Sequence, residues 1–215
     1  MANKSPVEML NSSTSTASAK PATPKGKAIV TAGHSPTRDP GAVGNGHREA
    51  DLMADLRNRI ARHLHGKCEV WQDDDNHTLI QVVRALEQTI TEHDVMVDLH
   101  LNAAGTPTAT GTEVLVRNAV FADPKAPSRI AAAELSAAIA TTLGIRNRGV
   151  KPESHSPHGR LAILNVVGQG GKLPKRRVLV EAAFITNAGD MQAYFANLDA
   201  LAATIADWTL TQLNA

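Results

Sequence analysis

The chain has 215 residues, 42% apolar and 20% charged, with 22 Lys and Arg against 21 Asp and Glu. That length suits one globular domain with a substantial core, and no apolar stretch approaches the roughly 20 residues of a membrane-spanning helix. A single cysteine, Cys68, excludes a disulfide framework, and 3% aromatic residues leave few stacking platforms for single-stranded nucleic acid.

Residues 1–26 are rich in Ser, Thr, Ala, Pro and Lys and lack apolar periodicity, which predicts a disordered leader. No apolar core of a secretory signal follows its first charges, so the leader does not read as an export signal. From residue 27 to 215 strand-like and helix-like segments alternate, as in one domain. Lys27–Thr31 is a short β-rich run before the Ala32-Gly33 turn. Glu49–His65 places Met53, Leu56, Ile60 and Leu64 at helical spacing, with Gly66 suited to end it. Cys68–Trp71 reads as a strand and Thr78–Glu92 as a helix with Leu79, Val82, Leu86 and Ile90 on one face. Val95–Leu99 and Glu113–Arg117 are strand candidates, and Ser128–Leu143 is an alanine-rich helix closed by Gly144. Leu161–Val167 and Val178–Val180 are further apolar runs read as strands, and Leu198–Leu213 is a terminal helix. The cluster Lys172, Lys175, Arg176 and Arg177 reads as a solvated loop before the last strand. This alternation predicts an α/β fold, a single twisted and mostly parallel sheet flanked by helices.

In such sheets, ligands bind beyond the carboxyl ends of the strands. Here those ends carry His34, His100 and Glu181, and Glu49 opens the first long helix after a glycine-rich loop. Two imidazoles and a carboxylate are a ligand set of catalytic zinc sites, and a further carboxylate can shuttle a proton. Spacing alone leaves open which glutamate has which task, and whether these are merely satisfied polar residues.

Four blocks then stand out: AGHSPTRDPGAVGNGHRE (Ala32–Glu49), DLHLNA (Asp98–Ala103), GTEVLV (Gly111–Val116) and VLVEAAFITN (Val178–Asn187). In order and separation they resemble the zinc-dependent N-acetylmuramoyl-L-alanine amidases of the amidase-3 family. The resemblance implies one zinc ion held by His34, Glu49 and His100. It implies Glu181 as the catalytic proton-transfer residue and peptidoglycan as substrate, cleaved between muramic acid and L-alanine. Asn102, Asn187, His155 and His158 are the candidate substrate contacts. His47 is expected at the rim. Where the family usually has a small residue before the histidine block, this chain has Asp98. That side chain either orients His100 or points away.

The segment between the blocks leaves little length for an autoinhibitory helix, so an open cleft is expected. The features fit a monomeric phage endolysin made in the cytoplasm, released through a holin-type partner and acting on the periplasmic wall. Nucleic acid is not expected as a partner. A bacterial effector, a zinc peptidase or deacetylase on the same scaffold, and a silent peptidoglycan binder are the alternatives.

Overall fold

The computed structural model describes residues 24–215. Of the expected leader, residues 1–23 lie outside the described residues, whereas Gly26 is buried with its Cα beside the His93 carbonyl. In chain order the elements are β1 (Ala28–Ala32), β2 (Val43–Gly44), β3 (His47–Arg48), α1 (Glu49–Leu64), β4 (Val70–Gln72) and α2 (Leu79–Thr89). Next come β5 (Val95–Asn102), β6 (Thr112–Val116), α3 (Asn118–Ala122), α4 (Pro127–Leu143) and β7 (Asn147–Pro152). The chain ends with α5 (Ala162–Asn165), β8 (Arg176–Phe184), α6 (Ala188–Ala196) and α7 (Leu198–Asn214).

Six strands form one sheet in the order β4-β1-β5-β8-β6-β7. β4, β1, β5 and β8 run parallel, while β6 is antiparallel to β8 and has β7 parallel beside it. The sheet is therefore mostly parallel, with one reversed pair at an edge. Short β2 and β3 form a separate antiparallel ribbon over the route from β1 into α1.

Side chains alternate across each strand, so the strands assign residues to two cores. Ala28, Val30, Val95, Val97, Val178 and Val180 face α1, α4 and α7, whose Met53, Leu56, Ile60, Leu135, Ile139, Leu201 and Ile205 complete the larger core. Ile29, Met96, Leu115 and Leu179 face the other way and are covered by Val82 and Leu86 of α2 with Ile163 and Leu164 of α5. Local signals agree with these assignments. Thr78 and Gln81 form a capping box at the start of α2, Pro127 opens α4, and Gly144 ends it at a φ of 66°.

Two expectations need correction. Leu161–Val167 is not a strand: its middle is the single helical turn α5, with Asn165 Nδ2 donating to the Leu161 carbonyl at 2.9 Å. A short apolar run has no decisive period, and here it covers the smaller core instead of joining the sheet. The edge position is taken by β7, a polar, partly exposed strand without clean alternation. Nor is the basic cluster all solvated loop. Arg176 and Arg177 belong to β8, and buried Arg177 donates to the Val166 carbonyl at 2.6 Å. Burial, then the neighbouring Arg117, lowers its pKa to about 10. Among the described residues no helix is long and apolar enough to cross a membrane.

Candidate metal centre

On the α2 side of the sheet, residues change character along the strands. Ile29, Met96 and Leu179 lie under α2 and α5, and two residues further on the same face come Thr31, Asp98 and Glu181, with His100 beyond Asp98. His100 and Glu181 are register partners on β5 and β8. Because β6 runs the other way, Glu113 near its start lies opposite Glu181 near the end of β8. Polar groups from four strands thus gather where the helical cover stops.

His34 follows β1 with a φ of 73°, a conformation that non-glycine residues rarely adopt and that recurs at functional sites. Two glycines make room for these side chains. A Cβ on Gly33 would lie 2.1–2.5 Å from the His100 ring, and one on Gly41 would lie 2.6 Å from the His34 ring and 2.8 Å from Glu49 Oε2. The glycines of this block therefore mark ground already occupied by imidazoles and a carboxylate.

His34 Nε2 is 3.4 Å from Glu49 Oε2, and His100 Nδ1 is 3.0 Å from Glu49 Oε1. The His34, Glu49 and His100 donor atoms all lie within 4.8 Å of one another, close enough to share one metal ion. Glu49 is 3% exposed, and its carboxylate accepts from the backbone N–H groups of Ala42 and Leu101, each at 2.9 Å. Burial opposes its charge, but the bond to His100 and both imidazoles outweigh that and lower its pKa. His34 Nδ1 is held by Asp39 Oδ2 at 2.8 Å, and this hydrogen bond keeps the Asp39 carboxyl below its ordinary pKa. His100 Nε2 lies 3.1 Å from Asp98 Oδ2, so Asp98 faces the histidine and does not point away. Burial disfavours the imidazolium of His100, yet Asp98 and Glu49 raise its pKa well above 6.5.

Glu181 differs from these carboxylates. Its Oε2 is buried without a hydrogen-bond partner among the described residues. Burial pushes its pKa up to about 7; the carboxylates of Glu49, Glu113 and Asp98 act in the same direction, and His100 opposes them. A carboxyl tuned to neutrality beside three metal-type ligands is suited to moving protons. The donor set, acidic surroundings and unpaired Glu181 oxygen together fit a bound cation.

The other sequence candidates distribute unevenly. Asn102 Nδ2 donates to Glu113 Oε1 at 2.8 Å, after an irregularity in the β5–β8 register. His155 Nε2 is exposed at the rim, 3.8 Å from Glu113 Oε1. His158 is exposed in the same loop, its N–H donating to Ser156 Oγ. Asn187 has both ends of its amide engaged within the fold: Oδ1 accepts from Asp190 N, and Nδ2 donates to the Pro107 carbonyl. His47 packs against Phe195 at 4.7 Å between ring centroids.

Sequence reading passed over Glu113 and Arg148. Glu113 is 2% exposed and accepts from Arg148 Nε at 2.7 Å. Its place at a strand start, opposite Glu181, becomes visible only with the antiparallel pairing of β6. Also missed was the brace from Asp73 and Asp75 to the His34 loop. Buried Asp73 accepts from Ala32 N–H at 3.1 Å and pairs with Arg57 at 3.0 Å, while Ser35 Oγ donates to the Asp75 carbonyl at 2.6 Å.

Comparison with known proteins gives the family. Residues 29–207 match the amidase-3 model, described as N-acetylmuramoyl-L-alanine amidase. The N-acetylmuramoyl-L-alanine amidase LytC of Bacillus subtilis is 29% identical over 155 residues, 71% of this chain, which spans only 28% of LytC's length. An assigned N-acetylmuramoyl-L-alanine amidase from Neisseria meningitidis superposes with a TM-score of 0.67 at 31% identity, over 88% of this chain and 97% of that one. The N-acetylmuramoyl-L-alanine amidase of Clostridium difficile 630 gives a TM-score of 0.70 at 22% identity, with the same two coverages, and speaks for the fold. The chain belongs to the amidase-3 family of N-acetylmuramoyl-L-alanine amidases.

Proposed function

We propose that this protein hydrolyses peptidoglycan at the amide joining N-acetylmuramic acid to L-alanine, with zinc as its metal. The convergence of His34, Glu49 and His100 beside Glu181 carries this reading. Two imidazoles and one carboxylate suit zinc and leave a coordination position for water or substrate. When bound there, zinc supplies Lewis acidity, lowering the pKa of water and polarising the scissile carbonyl.

The protein's own groups do the rest. Glu181, ionised above about pH 7, accepts a proton from the attacking water and then delivers it to the departing L-alanine nitrogen. The amide C–N bond breaks, the lactyl group leaves as a carboxylic acid and the peptide leaves with a free amine. Glu49 is fixed by two backbone donors and His34 by Asp39, so the ligands need little reorganisation. Asn102 and His155 stand on the Glu113 side of the site, where they can meet the substrate.

The His34 and His100 side chains are 28% and 19% exposed, consistent with a cleft that stays open. An unguarded lytic site must be kept from the wall until needed. That supports a monomeric phage endolysin acting after passage through a holin-type pore, with a bacterial effector as the runner-up. The test is digestion of purified diaminopimelate-type sacculi with and without chelator, read by mass spectrometry. Free peptides beginning at L-alanine, lost with chelator, are expected. Shortened peptides with the muramic linkage intact would make the protein a peptidase, and sacculus binding without products would make it a binder.

A further inference from the structure

Asp98 is a buried carboxylate of the site whose position is explained neither by metal ligation nor by proton transfer. Its side chain is 5% exposed. Oδ2 lies 3.1 Å from His100 Nε2, and Oδ1 accepts from Thr31 Oγ1 at 2.6 Å. Thr31 is 1% exposed and is the register partner of Asp98 on the neighbouring strand. Among the described residues, no lysine or arginine pairs with Asp98. A buried carboxylate is costly unless a cation or strong donors compensate it, and here one imidazole and one hydroxyl are the partners.

The strand geometry makes the contact. Residues 98 and 100 share a face of β5, so Asp98 meets the far side of the ring, away from Glu49. An acceptor at Nε2 keeps a proton there, so that when a cation lies between His100 and Glu49 it is Nδ1 that gives up its proton and offers its lone pair. Thr31 in turn fixes the carboxylate that sets the tautomer.

We propose that Thr31 and Asp98 are positioning residues that hold His100 as its Nδ1-ligating tautomer and thereby tighten the site's hold on a divalent cation. This rests on the metal reading above. A carboxylate behind a ligating imidazole raises its basicity, and loss of such a partner typically costs about 10–100-fold in metal affinity.

The experiment is a chelator-competition titration of the full chain with zinc alone, for wild type, Asp98→Asn and Thr31→Val. It is joined to a two-bond 1H–15N spectrum that reports the His100 tautomer in the metal-free proteins at alkaline pH, where the ring is neutral. Asp98→Asn is expected to raise the zinc Kd about 10–100-fold and to blur the tautomer. Thr31→Val, which keeps the side-chain shape, should weaken zinc several-fold with the fold intact. Wild-type affinity and an unchanged tautomer in a folded Asp98→Asn protein would overturn the proposal. If that variant does not fold, wild-type behaviour of Thr31→Val overturns it instead. A wild-type chain that binds no zinc would overturn the metal reading itself, a result distinct from equal binding by wild type and variants.

Discussion

The two faces of the sheet are made by the same strands and differ in what they are asked to cover. On the α1 side, alternate residues of β1, β5 and β8 are apolar to the strand ends, and three long helices cover them. On the α2 side, the apolar run stops at Ile29, Met96 and Leu179, and among the described residues its cover is α2, the single turn α5 and the adjoining Leu161 and Val166. Beyond that boundary the same alternation delivers Thr31, Asp98, His100 and Glu181 into the uncovered strip. One face spends its residues on stability, and the other divides its length between a small core and a site. Substitutions on either side of the boundary should therefore separate folding from chemistry.

The largest effect is expected from removing a ligand. His34→Ala or His100→Ala should abolish zinc binding and cleavage together, measured by metal content after dialysis and by product release. Next is Glu181→Gln, which should keep zinc and lower turnover by about 10²–10⁴-fold, the usual scale for losing a positioned acid–base group. Its pH behaviour follows from the raised pKa. The basic form of Glu181 accumulates as pH rises through about 7, so wild-type kcat/KM should climb through that region on its acid limb.

The same shift has a stability consequence of opposite benefit. Folded Glu181 holds its proton more tightly than the unfolded chain does, so its contribution to stability falls between the ordinary carboxyl pKa of 4.5 and about 7. Glu181→Gln should accordingly melt higher than wild type at pH 8 and show no such gain at pH 4. Differential scanning calorimetry at the two pH values checks both arms.

On the covered portion of the α2 face, Leu86→Ala should cost about 2–5 kcal/mol of stability in denaturant melts, while the surviving folded enzyme keeps its kcat. Arg57→Met blurs the boundary. It strands buried Asp73, which carries the last residue of β1, and should cost about 3–5 kcal/mol and loosen the His34 loop. Normal stability in that variant would mean that Asp73 does not depend on its partner.

Much of this division could be read before any coordinates. Periodicity located α1, α2, α4 and α7, because each buries an apolar stripe, and α2 and α4 also carry end signals in Thr78, Gln81, Pro127 and Gly144. The four matched blocks singled out His34, Glu49, His100 and Glu181, and the fold gathers the first three; His100 and Glu181 lie within β5 and β8, which run on past the ends expected from the sequence. What escaped depends on pairing across the sheet. β7 is a polar edge strand, so no alternation marks it, and α5 is too short for a run of apolar residues to declare a period. Glu113 joins the site only because β6 runs backwards beside β8. Asp98 was visible two residues before His100, yet its partner Thr31 lies 67 residues earlier and meets it only through the β1–β5 register.

The most direct test compares wild type and Glu181→Gln, both loaded with zinc to the same stoichiometry, on a defined muramyl peptide. If the uncovered strip is an amidase centre, wild type releases peptide with a free L-alanine amine, and the variant binds zinc equally but releases almost none. Comparable release by a folded, zinc-loaded Glu181→Gln protein would contradict the assignment of that strip as the seat of the chemistry.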